Sequence, residues 1–171
     1  LTADHRLMLE NSIRIVDGLR AVMRALNVEN GGIAIEDNNP AAIKAMTVPG
    51  DKVLVMTPCY NAFFPAIRNN KCGQLVSPLR YDGSRYIVDW DDYEAKAREA
   101  KVFLLCNPHN PAGRVWTREE LLLMAEICRR NNVFVVSDEI HCELTYPGHD
   151  YTPWATLPEQ YVVNSVSCIS P

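Results

Sequence analysis

A chain of 171 residues, 47% hydrophobic and 22% charged, is long enough to bury one ample core and has the balance of a soluble globular protein. Its net charge of −4 gives no electrostatic drive toward nucleic acid or an anionic membrane, so neither is expected as a partner. Six cysteines, at 59, 72, 106, 128, 142 and 168, form no Cys-x-x-Cys pair and no zinc-finger spacing with histidine, so no metal site is expected. Several stand in apolar runs, as reduced buried thiols do. With no secretory h-region and no apolar run long enough to span a bilayer, a cytoplasmic location is expected.

From Asn11 onward, Ile13, Val16, Leu19, Met23 and Leu26 recur at three- and four-residue steps. This spacing predicts an amphipathic helix to about Leu26, with Asn11 or Ser12 as N-cap. Gly31-Gly32 ends that unit, Ile33 to Ile35 is a short strand candidate, and Asn39-Pro40 opens a helix through about Met46. After the Pro49-Gly50-Asp51 turn, Val53 to Met56 predicts a strand that stops at Thr57-Pro58. A helix over about Asn61 to Asn70 and a strand at Gln74 to Val76 follow.

Tyr81-Asp82-Gly83-Ser84 is turn chemistry, and Asp89 to Ala100 reads as a charged helix with acidic residues at its positive end. Lys101 to Cys106 is the next strand. Thr117 with Glu120 three residues on forms a capping box for a helix to about Asn131, and strands are expected at Val133 to Ser137 and Tyr161 to Ser167. Alternating strands and helices with right-handed crossovers predict an α/β fold: a mostly parallel sheet with helices on both faces.

Two segments carry the chemistry. Leu104-Leu105-Cys106-Asn107-Pro108-His109-Asn110-Pro111-Ala112-Gly113 and Val135-Val136-Ser137-Asp138-Glu139-Ile140-His141 are apolar runs that end abruptly in polar residues. A buried parallel strand delivers functional side chains to the carboxyl edge of a sheet in this way. Over residues 47–171 the chain resembles the fold-type I pyridoxal-phosphate (PLP) enzymes. It is nearest to the cystathionine β-lyase-like C-S lyases of the aminotransferase class I/II group, in which Asn-Pro-His/Gln-Asn-Pro-x-Gly and Ser-Asp-Glu-Ile-His recur. The resemblance implies an incomplete large domain of the PLP-dependent transferase fold, with PLP as cofactor.

The same resemblance assigns roles. Asp138 would face the cofactor's pyridine nitrogen and keep it protonated, which the ring needs to withdraw electrons. Asn110 and His141 would address the ring's phenolic oxygen. Tyr60, in Thr57-Pro58-Cys59-Tyr60-Asn61-Ala62-Phe63-Phe64, would stack on the ring, a contact contributing about 0.5–1.5 kcal/mol beyond burial. Without the resemblance each residue has a plainer reading. Asp138 can cap the following turn, Asn110 before Pro111 is ordinary turn chemistry, His141 can be a surface or core histidine, and Tyr60 can be packing. Trp90, Trp116 and Trp154 read as structural, and Pro111 and Gly113 as shaping a turn. Adjacent strand residues face opposite ways, so Glu139 is not expected to pair with Asp138 as an acid/base couple.

Residues 1–46 differ. Leu1-Thr2-Ala3-Asp4-His5-Arg6-Leu7-Met8-Leu9-Glu10 and Gly32-Ile33-Ala34-Ile35-Glu36-Asp37-Asn38-Asn39-Pro40 are similar to the C subunit of Rnf-type electron-transport complexes, in its flavin-binding domain related to a Complex I subunit. The character changes near Ala45 to Thr47, as at a join of two unrelated genes, whether a natural fusion or an error of assembly. This segment has no glycine-rich flavin loop and no Cys-x-x-Cys-x-x-Cys motif, so flavin binding is not expected.

The resemblance also implies a Schiff-base lysine in a Ser-Lys pair soon after the strand near Val162 to Ser167, where the sequence reads Ser167-Cys168-Ile169-Ser170-Pro171. None of Lys44, Lys52, Lys71, Lys96 and Lys101 matches, and Lys101 begins its strand at the opposite edge. A phosphate-binding turn would fall in the Rnf-like segment, and a substrate-gripping arginine beyond Pro171. With no initial methionine, the chain is expected to be a fragment at both ends, without a catalytic residue of its own, inactive alone, and a weak or absent binder of PLP. The parent is expected to be a homodimeric PLP-dependent C-S β-lyase acting on an amino acid such as cystathionine, with an aminotransferase as the alternative. An electron-transport flavoprotein fragment and a non-catalytic truncated module are readings from other classes.

Overall fold

The computed structural model describes residues 46–169, and the elements expected before Met46 lie outside them. Chain order is β1 (Lys52–Thr57), α1 (Phe63–Asn69), β2 (Gly73–Pro78), β3 (Arg80–Tyr81), β4 (Tyr86–Ile87), α2 (Trp90–Ala97), β5 (Val102–Cys106), α3 (Arg118–Arg130), β6 (Phe134–Asp138), a short 3-10 turn (Trp154–Thr156), α4 (Glu159–Val162) and β7 (Ser165–Cys168). The main sheet has five strands in the order β2-β1-β5-β6-β7, every pair parallel.

The central strands are apolar on both faces because both are covered. Leu54, Met56, Phe103, Leu105 and Val135 join Tyr93 and Ala97 of α2 and Leu121, Met124, Ala125 and Cys128 of α3 in one core. On the opposite face Val53, Val55, Val102, Leu104, Cys106, Val136 and Cys168 pack with Phe63 and Ile67 of α1. Each fully buried Leu, Val, Phe or Met side chain contributes about 1.5–3 kcal/mol. The two-faced α/β architecture expected from the sequence is therefore present.

Caps fix where the helices start. Thr117 Oγ1 accepts from the Glu120 amide at 3.2 Å while Glu120 Oε2 accepts from the Thr117 amide at 2.9 Å, closing the expected capping box of α3. Asp89 Oδ1 accepts from the Asp92 amide at 3.3 Å and opens α2, which ends at Ala97 rather than Ala100. The Tyr81–Ser84 turn joins two-residue strands that the pattern does not reveal. Asp82 Oδ1 takes the amides of Ser84 and Arg85 at 2.8 and 2.9 Å, and Gly83 stands at φ +100°.

One expected strand is displaced. Tyr161 and Val162 belong to α4, not to a strand from Tyr161, and the strand itself is β7 at Ser165–Cys168. Pro158 begins that helical turn, its carbonyl accepting from the Tyr161 amide at 2.9 Å, and Tyr161 and Val162 pack against the core containing α3. That packing overrides their strand propensity.

The order of connections locates a crevice. From β1 the chain passes by α1, on one face, to β2; from neighbouring β5 it passes by α3, on the other face, to β6. Loops leaving two adjacent strands in opposite directions part at the carboxyl edge, which is where open α/β sheets bind ligands.

Candidate active site

Three strand-end segments meet at that crevice. Beyond β1, Tyr60 is half-buried, packs against the α1-side core, and sets its ring edge-on to Phe63 with centroids 5.9 Å apart. The neighbouring Cys59 thiol is pushed up to about 11 by burial, so it stays protonated at neutral pH.

Beyond β5 the loop is tightly held. The Asn107 amide donates to the Asp138 carbonyl at 2.8 Å, and its side-chain Nδ2 donates to the Thr152 carbonyl at 3.0 Å. The His109 amide donates to Arg114 O at 2.8 Å and the Gly113 amide to His109 O at 2.9 Å, with Gly113 at φ +63°. Trp116, wholly buried, donates from Nε1 to the Cys106 carbonyl at 2.8 Å. The Arg114 guanidinium lies 4.2 Å from its ring centroid and also bonds the Tyr86 carbonyl and the Glu120 carboxylate. His109 meets the same indole edge-on, and burial, then the Arg114 charge, lowers its pKa to about 4. Asn110 is fixed from beneath, its amide donating to Cys106 Sγ at 3.3 Å.

Beyond β6, Asp138 is 5% exposed and lies in register with Cys106 on one side and Cys168 on the other. Alternation with Val136 turns it toward the α1 face, the face on which Tyr60 packs. Asp138 Oδ1 also accepts from the Ile140 amide at 3.2 Å, so the plain turn-capping role is present as well. Glu139 turns the other way, as alternation requires, and its Oε1 accepts from Ser137 Oγ and the Trp154 amide, both at 2.8 Å. His141 comes back over the edge to put its Nε2 3.5 Å from Asn110 Nδ2.

Asn110 and His141 border a cavity of about 640 Å³ whose walls include Arg85, His109, Arg114 and His149, while Tyr60 and Asp138 lie outside its lining. The donor set at the crevice suits a flat heteroaromatic ring: a buried carboxylate for a ring nitrogen, an aromatic for a face, and two side-chain nitrogens close together for an acceptor oxygen. Lys52, Lys71 and Lys101 sit toward the amino edge of the sheet and Lys96 in the last turn of α2, so among the described residues no lysine stands at the crevice. Asn107 and Glu139 are held closely here although the motif reading gave them no part. The signal available for both was their direct contiguity with the two strand ends.

Residues 28–168 match the profile of the family aminotransferase class I and II. The chain belongs to this family. A second profile, the Nuo51 FMN-binding domain, matches residues 1–51, so the chain is a composite of two likenesses that overlap at 28–51. Over 132 residues the chain is 43% identical to cystathionine beta-lyase PatB of Bacillus subtilis, covering 76% of this chain and 34% of that protein. It is 35% identical over 126 residues to mouse kynurenine–oxoglutarate transaminase 3, covering 68% and 28% respectively. Among solved structures, cystalysin from Treponema denticola, which contains pyridoxal 5′-phosphate, superposes with a TM-score of 0.73 at 34% identity, covering 77% of this chain and 35% of that one. The chain thus spans about a third of the length of these class I/II relatives. The family is PLP-dependent and acts on amino acids. Among the described residues no helix is long and apolar enough to cross a membrane.

Proposed function

We propose that residues 47–171 contribute the ring-holding part of a PLP site in a C-S β-lyase of the cystathionine β-lyase type, acting on a sulfur-bearing amino acid, and that residues 1–46 are a separate Rnf C-subunit-like segment. The observation that carries this reading is the convergence of three neighbouring strand ends on one edge of the sheet, with Asn110 Nδ2 and His141 Nε2 3.5 Å apart and a buried carboxylate, Asp138, ending β6.

In this reading Asp138, withdrawn from water, holds a proton at the ring nitrogen, because a buried carboxylate is best compensated by a cationic partner. Tyr60 covers a ring face and limits its tilt. Asn110, tethered through Cys106, and His141 orient the ring by donating to its oxygen. PLP, when bound, supplies the electron withdrawal from an amino acid's Cα that lets the α-proton leave and a β-sulfur depart. With no lysine at the crevice among the described residues, contact of this chain alone with PLP is expected to be weak and readily reversed. The reading carries with it a cytoplasmic location and a homodimeric whole protein. The second reading is an aminotransferase, supported by the likeness to the mouse transaminase.

The test is a hybrid in which residues 52–169 replace the matching stretch of the Bacillus subtilis relative. The expected result is release of thiol, ammonia and a 2-oxo acid from a β-thio-substituted amino acid. A folded, PLP-loaded hybrid that only exchanges amino groups would move the assignment to the second reading. A folded hybrid that fails to take up PLP would overturn the cofactor site.

A further inference from the structure

From the end of β6 to the first residue of the 3-10 turn the chain makes a sixteen-residue excursion, 139–154, with no α-helix or strand. Its internal hydrogen bonds are local: Cys142 N to Glu139 O at 3.0 Å, Leu144 N to His141 O at 2.8 Å, and His149 N to Tyr146 O at 3.0 Å. None of these three joins its two ends. The ends meet through a side chain instead, because Glu139 Oε1 accepts from the Trp154 amide at 2.8 Å. This is an Ω-loop closed by the carboxylate of its own first residue.

Glu139 is 2% exposed, so its carboxyl group is withdrawn from water and needs hydrogen-bond donors. Ser137 Oγ supplies one at 2.8 Å, the Trp154 amide another, and the Tyr151 hydroxyl is a third partner. Burial, and then Glu139, push the Tyr151 phenol well above its usual range, which keeps that hydroxyl a donor. A second tie from the neighbouring strand, Asn107 Nδ2 to the Thr152 carbonyl at 3.0 Å, fastens the same returning segment. The loop so closed carries His141.

We propose that Glu139 is a positioning residue: by closing the 139–154 loop it fixes His141 beside Asn110 and so sets the donor pair of the site. The proposal rests on the reading of Asn110 and His141 as ring-oxygen donors for its functional meaning, but its structural content stands apart from any cofactor. Asp138 and Glu139 then divide one strand end between them, the first facing the crevice and the second holding the loop that returns to it.

The experiment compares the whole chain with its Glu139→Ala, Glu139→Gln and Tyr151→Phe variants, by amide hydrogen exchange and by the imidazole nitrogen signals of His141 in solution. Glu139→Ala is expected to speed exchange at Trp154 and across 141–153 at least tenfold, with β1 and β5 unchanged, and to shift the His141 signals toward those of a free imidazole. Glu139→Gln keeps an acceptor oxygen for Ser137 and Trp154 and is expected to restore most of the protection. Tyr151→Phe is expected to give a smaller loosening confined to the loop. Unchanged loop exchange and unchanged His141 signals in Glu139→Ala would overturn the proposal, as would equal loosening of all strands with no rescue by glutamine. Should Glu139→Ala not fold, unaltered loop exchange and His141 signals in Tyr151→Phe would overturn it. Failure of the cofactor reading would show in the hybrid's PLP uptake and leave these exchange rates as they are.

Discussion

Replacing Trp116 by phenylalanine isolates the post that holds the β5 loop in place. The indole is wholly buried, donates to the Cys106 carbonyl at 2.8 Å, and lies beneath the Arg114 guanidinium at 4.2 Å. Phenylalanine removes the donor, at about 1–3 kcal/mol for a buried polar group losing its partner. The smaller ring gives up roughly another 1 kcal/mol of burial. The sum, about 2–4 kcal/mol, is a large part of the ~5–15 kcal/mol that a domain has in total. With a urea dependence of about 2 kcal/mol per molar, the unfolding midpoint should fall by roughly 1–2 M. Urea denaturation followed by circular dichroism measures this directly. A shift below about 0.5 M would mean that the Cys106–Arg114 segment is held by its own backbone bonds and that the indole is mere filler.

Other expectations follow from the caps and the buried ionisable groups. Thr117→Ala opens the capping box of α3 and should cost about 1 kcal/mol in the same denaturation, with Thr117→Ser close to neutral. His109 is neutral in the fold, with its pKa lowered from 6.5 to about 4, so the unfolded chain takes up a proton first as pH drops. Its contribution to stability is therefore complete above about pH 6.5 and is lost progressively toward pH 4, by up to about 3 kcal/mol, and His109→Asn should flatten that slope. An imidazole titrating near 6.5 by NMR would refute the assignment. Cys128, wholly buried against Tyr93 and pushed up to about 12, should resist alkylation at pH 8 until urea unfolds the chain, and rapid native labelling would contradict the packing of α2 on α3.

The alternation of strands and helices was legible because each central strand is a compact apolar run and each long helix announces its cap, as Thr117 and Glu120 do. The placement of Asp138, Asn110 and Tyr60 at one edge was legible for the same reason: a parallel sheet brings every strand's carboxyl end to the same side. What escaped reading depends on partners distant in sequence. Tyr161-Val162-Val163 is aromatic and β-branched and so reads as strand, yet Pro158 and packing against the α3-side core wind its first residues into helix. Glu139 offers only its parity with Ser137; that its carboxylate reaches Trp154 depends on the path of a loop with no periodicity. The two-residue strands of the Tyr81–Tyr86 hairpin are too short to show any period at all.

The polarity of β1 has a further consequence. Lys52 lies at the sheet's amino edge and Thr57 at its carboxyl edge, so the chain arriving from Met46 meets the sheet on the side away from the crevice. Six strand residues, roughly 20 Å of extended chain, separate that entry from the loop bearing Tyr60. At the entry, Thr47 and Val48 contact Cys72, where the turn after α1 leads into β2. The entry to β1 and the strand ends that carry Asn110, Asp138 and His141 thus lie on opposite borders of the sheet.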